Sequence, residues 1–114
     1  MSNDDSTKFK VLYCTTSSMD EATTIAEHLV GNHIAACVNV LTAVRSIFWW
    51  NNKVYQDNEA LMIIKTEERH IPAIEHSIRL LHSYENPELI AIPVEYSIAE
   101  YGKWMHESVS IGHD

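Results

Sequence analysis

Apolar and polar positions follow a clear order along the chain. Phe9, Val11, Leu12, Tyr13 and Cys14 make an apolar run too short for a helix and rich in strand formers, which predicts a strand over residues 9–15. Ser18 and Glu21 then have capping-box spacing. Ala22, Ile25, Ala26, Leu29 and Val30 follow at i, i+3, i+4, i+7 and i+8, one apolar stripe along a helix. Gly31-Asn32, both tolerant of left-handed backbone, predict where that helix stops.

Residues 35–50 contain no Gly or Pro and are rich in β-branched and aromatic side chains, with Val38, Val40, Val44, Phe48 and Trp50 on even positions. Asn51-Asn52 is a two-residue hairpin signal, and a return strand is expected from Lys53 to about Thr66. A strand of roughly sixteen residues would span ~53 Å at ~3.3 Å per residue, against the usual ~17–20 Å, so bulges are expected within it. Ile71, Ile74, Ile78 and Leu81 mark a second helix, with Pro72 fitting its first turn. Residues 88–96 read as a short strand that Pro93 places at an edge or bulge. A second capping box, Ser97 and Glu100, opens a short helix carrying Ile98, Tyr101, Trp104 and Met105.

The order β-α-β-β-α-β plus a terminal helix is the split-βαβ arrangement: an α+β, ferredoxin-like sandwich with a long β2–β3 hairpin and a C-terminal helix. Residues 1–7 are expected to form a flexible N-terminal tail, 8–108 a single domain, and 109–114 a C-terminal tail. Outer strands of about eight residues cannot cover so long a hairpin. The overhang would leave backbone edges and tryptophans exposed, a hazard another chain would relieve. Oligomerisation is therefore expected, with Phe48, Trp49, Trp50 and Tyr55 at the interface, where aromatic residues dominate contact energy.

Composition narrows the function. The 114 residues are enough for one domain, and a hydrophobic fraction of 46% excludes intrinsic disorder. A formal net charge of −8 argues against nucleic acid, which needs a basic face, and against an anionic membrane surface. Cys14 and Cys37 have no CxxC partner, and no apolar run approaches the ~20 residues of a membrane span. With no export pattern in the polar first residues, a reduced cytoplasmic protein is the expectation.

Candidate chemistry is sparse. His70, His76 and His82 recur every six residues, so each points about 120° away from the last around one helix, and they cannot share a metal. Taken singly, the seven histidines read as surface groups. Thr15-Thr16-Ser17-Ser18 offers hydroxyls at a helix start, for which a helix cap is a sufficient account. Glu67-Glu68 and the Glu75/Arg79 pair read as a solvated helix face. No nucleophile elbow or glycine-rich phosphate loop is present, and no organic cofactor is expected. Glu59 and Lys65 share a face of the return strand and, with Tyr84 and Trp50, are candidates for lining a ligand cleft.

Several ordered segments together resemble the CutA divalent-ion tolerance proteins. They are Val11-Leu-Tyr-Cys-Thr-Thr16, Ala35-Ala-Cys-Val-Asn39, Ser46-Ile-Phe-Trp-Trp50, Glu59-Ala-Leu-Met-Ile-Ile-Lys-Thr66, His82-Ser-Tyr-Glu-Asn-Pro-Glu88, Ile90-Ala-Ile-Pro-Val94 and Tyr101-Gly-Lys-Trp104. The resemblance implies a ferredoxin-like subunit in a homotrimer of PII-like architecture, linked to tolerance of divalent cations, chiefly copper, with no turnover. It also implies copper ligands: a cysteine ending the first strand, matched by Cys14, and a His-His pair whose second member is matched by His82. Leu81 stands at the first histidine position and Ser83 at the following proline, leaving two of the three ligands. Thiolate and imidazole suit Cu(I) better than Mg(II). The rival expectations are a signalling module for a small anionic metabolite, a stable interaction scaffold and, last, a hydrolase.

Overall fold

The computed structural model describes residues 8–113; the expected tail at 1–7 lies outside them. The elements are β1 (Phe9–Thr16), α1 (Met19–Gly31), β2 (Cys37–Trp50), β3 (Lys53–Glu67), α2 (Ile71–Leu81), β4 (Ile90–Pro93) and α3 (Ala99–Ser108), with a 3-10 turn at Glu68–His70. The four strands form one antiparallel sheet in the order β2-β3-β1-β4. The α+β, split-βαβ reading of the sequence therefore holds.

Parity along the strands divides the two faces. Leu12 and Cys14 of β1 and Ala60, Met62 and Ile64 of β3 are buried against Ala22, Ile25, Leu29, Ile74 and Ile78 of the first two helices. Fully burying such aliphatic side chains is worth about 1.5–3 kcal/mol each, so this layer supplies most of the driving force. At one end of the opposite face, α3 packs a smaller cluster of Met105 and Val109 with Phe9 and Ala36. A Cβ on Gly102 would lie 3.1 Å from the Phe9 ring, so the missing side chain lets α3 approach β1 closely.

The long hairpin carries the expected irregularity. Leu41 pairs with Leu61 and Val44 with Glu59, leaving Thr42 and Ala43 opposite a single residue, and Ala43 adopts φ +60°. This bulge flips the face of every later side chain. Val38 and Val40 pack on the core, whereas Val44, Phe48 and Trp50 belong to the other face, so the even positions are not one surface. Asn51 (φ 49°) and Asn52 (φ 64°) form the turn, with two left-handed residues as its twist requires. Beyond the Thr16–Ala60 pair, β1 ends, and residues 53–59 of β3 pair only with β2. The protruding arm stretches the molecule to 49 × 25 × 22 Å and raises its radius of gyration to 15.0 Å. A compact chain of this length would give about 13 Å.

Several local expectations are corrected. The left-handed residue after α1 is His33 (φ 57°), not Gly31 or Asn32, and Val30 is exposed at the edge of the stripe. The last strand covers only Ile90–Pro93 rather than 88–96. Ser97 caps nothing: its hydroxyl donates to the Ile98 carbonyl, and α3 starts from Ile98 without a side-chain cap. Glu67 is fully buried at the end of β3, not on a solvated helix face. Its carboxylate accepts from Arg69 Nε at 2.9 Å and lies 2.7 Å from His106 Nδ1. His70 and His82 are buried as well. Residues 109–113, expected as part of a C-terminal tail, are anchored to the domain. Val109 is buried, its carbonyl accepts from His70 Nε2 at 2.7 Å, and His113 Nε2 donates to the Asn32 carbonyl at 3.1 Å.

Candidate functional site

The C-terminal end of β1 brings together the residues that matter most. Cys14 is on the helix-facing side of β1, paired with Met62, and has no solvent exposure. His82 ends α2: its backbone turns extended (φ −79°, ψ 140°) while its amide still bonds the Ile78 carbonyl, and its ring is carried back to β1. There His82 Nε2 donates to the Thr15 carbonyl at 2.7 Å, and the Cys14 thiol approaches the same oxygen at 3.7 Å. Tyr84 N–H donates to His82 Nδ1 at 3.0 Å, with the two rings 4.7 Å apart. Both ring nitrogens are thus engaged, which defines the neutral Nε2–H tautomer.

Carboxylates surround this pair. Glu59 lies just past the end of β1 and accepts from the Tyr84 hydroxyl at 2.6 Å. Glu88 accepts from the Thr15 hydroxyl at 3.2 Å. Glu21 receives Ser17 N–H (3.0 Å) and Ser17 Oγ (3.1 Å) on one oxygen and Ser83 N–H (2.8 Å) on the other. The capping box is accordingly half-formed: Ser18 Oγ accepts from Glu21 N–H, but the Glu21 side chain serves Ser17 and Ser83 instead of Ser18.

The surroundings set the charge states. Burial, reinforced by Glu88, Glu21 and Glu59, pushes the Cys14 thiol up to about 12. Burial raises Tyr84 too, and its hydrogen bond to Glu59 adds to the effect. Burial alone would raise Glu21, but the hydrogen bonds from Ser83 and Ser17 outweigh it and hold that carboxyl below its ordinary value.

A thiol protonated at neutral pH and an imidazole bonded through both nitrogens fit a resident metal centre poorly, since a metal needs thiolate and a free lone pair. Among the described residues, no group of three or more His, Cys, Asp and Glu side chains is arranged to hold a metal.

Of the proposed cleft residues, Glu59 and Tyr84 meet. Lys65 lies elsewhere on the sheet, its Nζ 5.8 Å from the Tyr101 ring, and Trp50 is at the hairpin tip. Phe48 and Tyr55 pair across the arm with ring centroids 6.0 Å apart, and Lys53 Nζ lies 4.8 Å from the Tyr55 ring. Glu21, Glu88 and Thr15 were not legible as site residues. Glu21 carried only a capping signal, Thr15 only its place in the hydroxyl run that reads as a helix cap, and Glu88 no signal of its own.

A four-stranded split-βαβ sheet with an overlong hairpin, and a Cys/His pair closing its first strand, defines a ferredoxin-like domain with a protruding arm. The chain belongs to the CutA1 divalent ion tolerance protein family, whose model matches residues 10–108. It is 36% identical over 98 residues to the divalent-cation tolerance protein CutA of Archaeoglobus fulgidus, covering 86% of this chain and 95% of that one. The chloroplastic protein CutA 1 of rice is 34% identical over 98 residues, covering 86% of this chain, which spans about half (55%) of the rice protein's length. Among solved structures, the periplasmic divalent cation tolerance protein CutA of Archaeoglobus fulgidus superimposes with a TM-score of 0.86 at 35% identity, over 89% of this chain and 98% of that one. CutA1 from Oryza sativa gives a TM-score of 0.88 at 31% identity, over 92% and 96%.

Proposed function

We propose that the protein works in divalent-cation tolerance as a cytoplasmic homotrimer that takes up an ion or small ligand in clefts between subunits and returns it unchanged. The observation that carries this reading is the arm. Among the described residues, no third strand lies beside the hairpin from Val44 to the turn and back to Glu59, and Ile47 (64% exposed), Trp49 (68%), Trp50 (48%) and Val54 (62%) face solvent. Register places Trp49 with Val54 on one face and Phe48 with Tyr55 on the other, so both faces of the arm are apolar. A two-fold dimer would cover one face; a closed ring of head-to-tail contacts uses both. The free Cys14 and Cys37 suit a reducing compartment, although the archaeal relative is named periplasmic.

Membership of a family named for divalent ions supports a metal ion as the class of ligand. Copper is the metal proposed for Cys14 and His82, because soft thiolate and imidazole donors favour it over hard ions such as Mg(II). Both donors are engaged within the subunit, so the ion is read as a passing ligand and not a resident cofactor. Light scattering at micromolar concentration should give three times the 13.0 kDa subunit mass, and a monomer would overturn the trimer. Calorimetric titration should show copper uptake that is lost in both Cys14→Ala and His82→Ala. Nucleotide binding that survives both substitutions would instead establish the metabolite-sensing alternative.

A further inference from the structure

We propose that residues 82–88 form a strap, pinned beyond the His82 amide only by bonds that involve side chains, that gates access to Cys14. Among the described residues, no backbone–backbone hydrogen bond outside the helices and strands involves positions 83–89; the last one is His82 N–H to the Ile78 carbonyl, where the strap leaves α2, and pairing resumes at Ile90 with Tyr13. The strap is fastened at four points. Ser83 N–H is held by Glu21 of α1, the Tyr84 hydroxyl by Glu59 of β3, the His82 ring by Thr15 of β1, and Glu88 by the Thr15 hydroxyl. Two of these fastenings use carboxylates held by other elements, Glu21 on α1 and Glu59 on β3, and in a third the strap's own Glu88 reaches back to β1. Releasing them costs no secondary structure.

The buried thiol is the group such a strap controls. Cys14 has no exposure, and the carbonyl it approaches is the one that His82 holds, so the first residue of the strap stands directly beside it. Segments with few buried apolar contacts and no backbone pairing belong to the low-stability end of a fold and open without global unfolding. His82 is buried, but Ser83, Glu85 and Asn86 are exposed and Tyr84, Pro87 and Glu88 are only half-buried, so beyond its first residue the strap buries no side chain fully. The gate stands whether or not copper is the ligand that passes it.

The test is the labelling rate of Cys14 by a disulfide reagent in the full chain carrying Cys37→Ser, so that one thiol reports. Tyr84→Phe keeps the ring beside His82 and removes the bond to Glu59; Glu21→Ala frees Ser83. Each should speed labelling roughly ten-fold, the change in opening constant expected for one hydrogen bond to an ionised carboxylate, and the double variant should be faster than either. Hydrogen exchange should accelerate at 82–89 while Met62 and Ile64 keep their protection. Unchanged labelling in the double variant, or equal loss of protection in β3, would overturn the gate. Should Glu21→Ala fail to fold, exchange in the unaltered chain decides the matter. The strap amides should exchange by an opening insensitive to denaturant, and exchange only through global unfolding would overturn the proposal.

Discussion

His82 donates its Nε2–H to the carbonyl of Thr15 at 2.7 Å, so a side chain 67 positions downstream closes the end of the first strand. With Nδ1 accepting from Tyr84 N–H, this imidazole satisfies two backbone groups that would otherwise be orphaned in a largely buried place. A residue that first suggests a ligand is, in the single subunit, a structural tie between β1, α2 and the segment that follows.

Replacing it should therefore cost stability before any question of ligand arises. His82→Ala leaves the Thr15 carbonyl and the Tyr84 amide without their partners, an expected loss of about 1–3 kcal/mol. Urea denaturation at fixed protein concentration measures it. A variant as stable as the parent would show that water replaces the imidazole without penalty.

Cys14 should be chemically quiet where Cys37 is not. Its thiol is buried and held up to about 12, so at neutral pH almost no thiolate forms, while Cys37 is half-buried at the start of β2. Iodoacetamide at neutral pH should modify Cys37 first, as read by mass spectrometry on the Cys14→Ala and Cys37→Ala variants. The linkage has a definite sign. The folded value lies above the unfolded value of 9.0, so the folded chain holds the proton longer. The contribution is intact below pH 9 and is lost as pH rises toward 12. The urea midpoint of the parent should fall more steeply over that window than that of Cys14→Ala.

Much of the fold was legible because its signals are local. The stripe from Ala22 to Leu29, the Asn51-Asn52 turn and the run ending at Ile64 each depend on a periodicity or a turn type. The misread features depend on tertiary partners. Glu67 beside Glu68 has the look of a solvated pair, and only the arrival of Arg69 and His106 makes its burial tolerable. Ser97 and Glu100 carry the same spacing as Ser18 and Glu21, yet the Ser97 hydroxyl turns to a carbonyl and caps no amide. The bulge at Thr42-Ala43 reverses a parity that the sequence shows as continuous. The site suffers from the same limit, since Cys14, Glu21, Glu59 and His82 come from four different elements.

His70 should make the C-terminal segment sensitive to acid. Burial lowers its pKa; Arg69 and His113 push the same way, whereas its bond to the Val109 carbonyl and the charge of Glu67 oppose the shift. The folded value lies below the unfolded one, so the unfolded chain binds the proton first. This contribution to stability is complete above pH ~6.5 and is lost as pH falls from there, with a slope of at most about 1.4 kcal/mol per pH unit. His70→Gln keeps an N–H donor for Val109 but does not titrate. Its denaturation midpoint should fall less than the parent's between pH 7.5 and 5.5, values bracketing the ~6.5 reference. Parallel profiles would remove His70 from the account.

Glu67 should be the costliest single polar residue to remove. Its carboxylate joins Arg69, itself bonded to the Val109 carbonyl and Ser110, to His106 on α3, so one buried anion ties the end of β3 to the last helix. Glu67→Ala leaves the largely buried guanidinium without its anion and should destabilise by ~2–4 kcal/mol. Hydrogen exchange should show α3 losing protection ahead of α1. Loss spread evenly over both helices would mean that α3 is held by its apolar contacts instead.

The arm distinguishes a ring from a dimer by single substitutions. Trp49 and Trp50 are adjacent in β2 and therefore point to opposite faces of the hairpin, at 68% and 48% exposure in the isolated subunit. In a two-fold dimer one face meets its copy and the other faces water, so only one of Trp49→Ser and Trp50→Ser should weaken association. In a closed ring of head-to-tail contacts both faces are covered, and either substitution should shift the assembly toward monomer. Large buried aromatic side chains are the usual anchors of such interfaces, and truncating one that is a hot spot costs about 2 kcal/mol or more, about thirty-fold in an association constant. Sedimentation across a concentration series reads the shift directly. Two dissociating variants support the ring, whereas one unaffected variant leaves an uncovered arm face and sinks it.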